Sequence, residues 1–203
     1  MRNCIFTSHC IESFCDKSCP IFAEVSYLLE RNNLINNKLV SKISKRDIDT
    51  MTNILKKSEN NTSTVIVPQG RSSIEYSDFL TYCAICQYWK GNQLHVNVFN
   101  LKYSAYLDKL KKSWSNNSED EDLQYLEIWS RSSKVLIISG FDYVDFKDFE
   151  SQTLLTILQD RKTNNLTTIL VSPPINSLIS TKQSVFFGAL KRMLKETVKV
   201  VSV

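Results

Sequence analysis

Residues Lys134 to Pro174, KVLIISGFDYVDFKDFESQTLLTILQDRKTNNLTTILVSPP, decide how this chain folds. Val135, Leu136, Ile137 and Ile138 form an unbroken apolar run, the pattern of a strand buried on both faces. A helical segment and a second apolar, β-branched run follow, so the stretch reads strand, helix, strand. Two strands joined through a helix form the repeating unit of a parallel α/β sheet.

The same alternation extends outward in both directions. Thr64–Val67 reads as a β-branched strand ended by Pro68, Gln69 and Gly70, and residues 76–90 as a helix stopped by Gly91. Leu94, Val96 and Val98 alternate with polar residues, which predicts a half-buried strand. Residues 102–114 and 122–132 read as helices around the polar loop SNNSEDE. A helix over 183–195 and a strand over 197–203 close the chain. The expectation for 62–203 is a five-stranded parallel sheet with helices on both faces. Ahead of it stand a cysteine-rich arm with a helix (1–34) and a polar, basic connector with a short helix (35–61). In the arm's helix, Phe22, Val25, Leu28 and Leu29 are helically spaced and Pro20 suits the first turn.

A length of 203 residues fits one ordinary domain and a small appendage, and 42% hydrophobic with 23% charged residues is a soluble, globular composition. No apolar run approaches the roughly 20 residues of a membrane span. The N-terminus is too polar for a signal peptide. A reducing cytoplasm is the expected location, where cysteines are free or metal-bound rather than paired. A net charge of +4 permits contact with nucleic acid without demanding it.

In a P-loop protein the first strand feeds a glycine-rich loop that cradles phosphates; a Lys then reaches the outer phosphates and a Ser or Thr binds Mg²⁺. The matching segment, TVIVPQGRSSIEYSDFL, has a single glycine, Gly70, and no Gly-Lys-Ser/Thr. With the helix starts aligned, Glu75 falls near the Lys position and Tyr76 near the hydroxyl ligand. A carboxylate there repels a triphosphate and a ring crowds its metal. Ser139 and Gly140 stand where acidic residues would end the third strand; Asp142 lies two residues beyond that end. Pro173 follows Ser172, where a polar sensor residue would be. The expectation is a pseudo-ATPase, with no nucleotide bound or hydrolysed.

Cys4, Cys10, Cys15 and Cys19 lie within sixteen residues, with His9 beside Cys10. Four soft ligands suit a tetrahedral structural zinc, which supplies the folding energy a short segment lacks. Cys10 is preferred over His9 as the ligand; the plainer alternative is a set of free thiols. Cys83 and Cys86, three apart on a helix, read as small buried hydrophobes. His95 reads as a non-catalytic strand residue.

Several segments together resemble the bacterial replicative-helicase loaders of the DnaC/DnaI type, and more closely the short loader-like ATPases of phages and mobile elements. They are NCIFTSHC and CDKSCPIFAEVSYLLERNNL at the start, then LKYSAYLDKLKKSW, KVLIIS, LLTILQDRKTNNLTTILVS and ALKRMLKETVKVVSV. The resemblance implies an AAA+ fold, a zinc-bearing N-terminus that docks on the helicase, and a helicase or loader as partner. Arg161 and Arg192 become candidates for contacts across a subunit interface; for Arg161, a favourable place at a helix C-terminus is the plainer account. Lys109, Lys111 and Lys112, with Tyr103, Tyr106 and Trp114 on the same helix, are candidates for single-stranded DNA, against an ordinary amphipathic helix. The expected function is a non-hydrolysing accessory protein of DNA replication, as adaptor or inhibitor. The alternatives are an active loader with an atypical phosphate loop and a zinc-dependent single-strand-binding module.

Overall fold

A computed structural model of the chain describes residues 20–34, 49, 53, 63–68, 72–90, 97–116, 120–173, 188, 189, 192 and 198–202. The elements are α1 (Pro20–Arg31), β1 (Ser63–Val67), α2 (Ser73–Lys90), β2 (Val98–Lys102), α3 (Tyr103–Asn116), α4 (Glu121–Ser132), β3 (Val135–Ser139), a 3-10 turn (Phe141–Tyr143), α5 (Asp148–Thr163), β4 (Thr167–Val171) and β5 (Val198–Ser202). The five strands form one sheet in the order β2-β3-β4-β1-β5, and every pairing is parallel. Residues 49 and 53, and 188, 189 and 192, are helical, inside the two further helices expected there.

The order dictates where the helices go. From β1 the chain crosses the sheet to β2, then returns strand by strand through β3 and β4 before passing over β1 to β5. Right-handed crossovers in opposite directions cover opposite faces. Accordingly Ile66, Val98, Val135, Ile137, Ile169 and Val171 pack under α2, while Val65, Phe99, Leu101, Leu136, Ile138 and Leu170 pack under α3, α4 and α5. Strand side chains alternate faces, so the unbroken apolar runs follow from two covered faces.

Two helices end in the same way. Both α1 and α5 run into Asn-Asn-Leu, and in each the second Asn takes a positive φ (Asn33 56°, Asn165 53°). Leu34 N–H then donates to Leu29 O at 2.7 Å and Leu166 N–H to Arg161 O at 2.9 Å. This is the Schellman closure, which satisfies the last carbonyls and turns the leucine inward; Leu34 is in the core.

The second strand differs from its expected place. It begins at Val98 and runs through Asn100 to Lys102. Asn100 is tolerated in a buried strand because its amide donates to Asp78 Oδ1 on α2 (2.9 Å) and its backbone N–H donates to Asn32 Oδ1 (2.8 Å). Asn32 also donates to Val98 O (3.2 Å), so one side-chain amide stands in for a peptide of a neighbouring strand. It thereby covers part of the sheet edge at β2. With Leu28 and Leu29 packed on the core beneath α2, the helix grouped by sequence with the N-terminal arm is joined to the sheet.

Candidate functional site

In open α/β sheets, ligands bind beyond the carboxyl ends of strands, where adjacent connections leave for opposite faces. Here that place is the end of β1 and β4, whose connections lead to opposite faces, with α2 starting above it. The β1–β4 ladder is extended there by Ser172 N–H donating to Ile66 O (3.0 Å).

Three serines and a carboxylate furnish this edge. Ser73, the first residue of α2, is buried, and its hydroxyl donates to Asp142 Oδ2 at 2.5 Å. One turn on, the Ser77 and Ser139 hydroxyls are hydrogen-bonded at 2.9 Å, tying α2 to the end of β3. Gly140 adopts φ +81°, and a Cβ there would stand 3.1 Å from Ser104 Oγ. This left-handed residue ends β3 and turns Phe141 into the core. It also places Asp142 opposite the start of α2. The positive end of a helix attracts an anion; this chain meets it with its own carboxylate.

Two of the positions aligned by sequence lie at the start of α2. Glu75 is exposed in the first turn of α2, and Tyr76 is buried in the core beneath that helix. Gly70 lies outside the described residues. Ser139 and Gly140 do end β3, as expected. Asp142, set aside in sequence because the strand has ended before it, is brought back to the site by the turn at Gly140. A glycine between a buried strand and an acidic residue was the available signal. Ser172 turns aside, its hydroxyl donating to Pro173 O (2.8 Å).

Arg161 is corrected as an interface candidate. It is fully buried, and its guanidinium is used up inside the fold. Nε donates to Thr168 Oγ1 (2.8 Å), Nη1 to Ser130 O (3.0 Å) and Nη2 to Thr167 O (2.6 Å). It ties α5 to the end of α4 and the start of β4. Burial lowers its pKa to about 9, which still leaves it charged at neutral pH. Arg192 is exposed on its helical segment.

The lysine cluster on α3 is dispersed. Lys109 pairs with Asp122 on α4 (2.5 Å) and Lys111 with Glu150 on α5 (2.7 Å), while Lys112 is exposed. Tyr103 and Tyr106 are buried in the core, and exposed Trp114 lies edge-on to Phe149 at 4.8 Å. Of the rings grouped with these lysines in sequence, Tyr103 and Tyr106 face the core and Trp114 stays exposed beside the exposed Lys111 and Lys112. Desolvation raises the Glu150 pKa, but the bonds from Lys111 and the backbone outweigh it and the net shift is downward.

Cys83 is buried in the core of α2, as the helical spacing implied. Cys4, His9, Cys10, Cys15, Cys19 and His95, and the Cys86 side chain, lie outside the described residues. Among the described residues no group of three or more His, Cys, Asp or Glu is placed to hold a metal, and no helix is long and apolar enough to cross a membrane. No protein-family model matches the chain, and no curated protein matches it.

Proposed function

We propose that this chain is a non-hydrolysing accessory protein of DNA replication, built on a P-loop-like core, that binds a replicative helicase or its loader as an adaptor or an inhibitor. The observation that carries the catalytic half is the lack of a Gly-Lys-Ser/Thr loop between β1 and α2, with Glu75 exposed in the first turn of that helix. A triphosphate bound there would face Glu75 without a lysine to hold its outer phosphates; the Ser73 hydroxyl with Asp142, a pair of the kind that holds Mg²⁺ in P-loop proteins, favours the alternative of an active loader. Two unit charges of like sign about 4 Å apart repel by about 1 kcal/mol even in bulk water and by more near a protein surface. The parallel sheet, with one strand between β1 and β3, is compatible with a P-loop-like core. The partner half draws on the sequence resemblance to helicase loaders, and zinc at Cys4, Cys10, Cys15 and Cys19 belongs to the same reading.

Titration with a fluorescent ATP analogue and Mg²⁺ tests the first half. The expected result is no saturable binding up to about millimolar nucleotide, where the binding free energy is only about −4 kcal/mol. Saturable binding competed by ATP overturns it and favours an active loader. A pull-down with the tagged chain, read by mass spectrometry, tests the second half. Recovery of a replicative helicase or its loader is expected, and reproducible recovery of neither sinks the partner assignment.

A further inference from the structure

At the β2 edge, where α1 meets α4, lies a cleft of about 390 Å³ that no part of the nucleotide-site reading uses. Its lining includes Arg31, Asn100, Lys102, Lys109 and Tyr125. Arg31, the last residue of α1, lies with its guanidinium carbon 3.4 Å from the Trp129 ring centre and 5.6 Å from that of Phe99. Tyr27 hydrogen-bonds the group, yet Nε and Nη2 are buried and have no hydrogen-bond partner. These two donors form one side of the guanidinium fork, the side that takes a carboxylate through two parallel bonds. Across the cleft, Asn100 is nine-tenths buried and its Oδ1 also lacks a partner. Buried polar atoms left in this state cost stability unless a ligand satisfies them.

We propose that this cleft binds an acidic segment of a partner protein, a carboxylate entering the Arg31 fork while an adjacent apolar side chain rests on the exposed rings. Charge selects this occupant. Lys109 is already paired with Asp122 and Lys102 with Asp78 (3.5 Å), whereas Arg31 faces no carboxylate among the described residues. One unpaired cation matches one carboxylate; a nucleic-acid backbone requires several. Tyr27, Tyr125 and Ile128 stand exposed on α1 and α4, the two helices that meet at Arg31. Aromatic rings around a partly desolvated arginine are the composition of interface hot spots. The Nδ2–H of Asn100 is committed to Asp78, so Oδ1 is left to accept a backbone N–H of the incoming segment. The inference is independent of whether the phosphate loop is dead.

The test is a titration of the ¹⁵N-labelled full chain, watching the Arg31 Nε–H and Asn100 side-chain resonances. The probe is N-acetyl-tryptophan, which carries a carboxylate beside an aromatic ring; its neutral amide is the control. Saturable shifts with a dissociation constant of roughly millimolar order, weakened at least about tenfold for the amide, are expected. Arg31→Lys keeps the charge but loses the fork, and is expected to abolish the difference between probe and amide. The comparison of the two probes on the unaltered chain needs no variant to fold. No saturable shift, or equal binding of probe and amide, overturns the proposal. So does a shift of the same resonances by oligothymidylate with a steep salt dependence, which assigns the cleft to nucleic acid.

Discussion

Replacing Arg161 by Ala is expected to unfold a large part of the stability margin rather than to weaken an interface. The magnitude follows from what the guanidinium holds. Its removal leaves Ser130 O, in the last turn of α4, without the donor that reaches it at 3.0 Å, while Thr167 O, at the start of β4, loses its 2.6 Å bond but keeps its place in the ladder with β3. Each buried acceptor left unpaired costs about 1–3 kcal/mol. The hydroxyls of Thr168 and Ser133 can rotate to other partners and add less. The void of a fully buried side chain adds to the loss, while relief from burying a charge that has no carboxylate partner among the described residues subtracts from it. The net expectation is about 3 kcal/mol for Arg161→Ala, from one orphaned carbonyl and the void, and about 1–3 kcal/mol for Arg161→Met, which fills the space but orphans Ser130 O. In a domain of this size each kcal/mol moves the melting temperature by about 2–4 °C, so Arg161→Ala should melt roughly 10 °C lower. Urea unfolding followed by far-UV circular dichroism should show the midpoint falling with an unchanged slope. Arg192→Ala, at an exposed helical position, serves as the control and should stay within about 0.5 kcal/mol of the parent. Arg161→Ala unfolding within about 1 kcal/mol of the parent would refute the structural role and return Arg161 to the surface.

Three further outcomes are expected. Gly140→Ala should cost about 1–2 kcal/mol, since a left-handed residue gains a Cβ that meets Ser104 Oγ at 3.1 Å; adding Ser104→Gly should recover only the contact part, as read by denaturant midpoints. Glu150 has its pKa lowered in the fold, so its contribution is present above the ordinary carboxylate range and is lost as pH falls through the folded value; Glu150→Gln should therefore flatten the acid side of the stability profile, and an unchanged acid limb would contradict the Lys111–Glu150 bond. Metal analysis of protein purified without chelator should find about one zinc per chain, lost when Cys15 and Cys19 are both changed to Ser; a metal-free native chain would leave the free-thiol alternative.

The sequence alone determined the architecture, because the pattern that carries it is local. An apolar run such as Val135–Ile138 is stable only between two covered faces, and its alternation with helices admits little besides a parallel α/β sheet. The absence of a Gly-Lys-Ser/Thr loop was also legible. Tertiary structure decided the rest. Strand β2 lies where Asn100 can be satisfied, and its partners, Asn32 and Asp78, are distant in the chain. Arg161 looked like a surface cation at a helix end until α4 and β4 supplied its acceptors. Asp142 joined the start of α2 only because Gly140 reverses the chain there. Periodicity records which face a residue takes; it does not record which distant polar atom will meet it, and burial makes that meeting decisive.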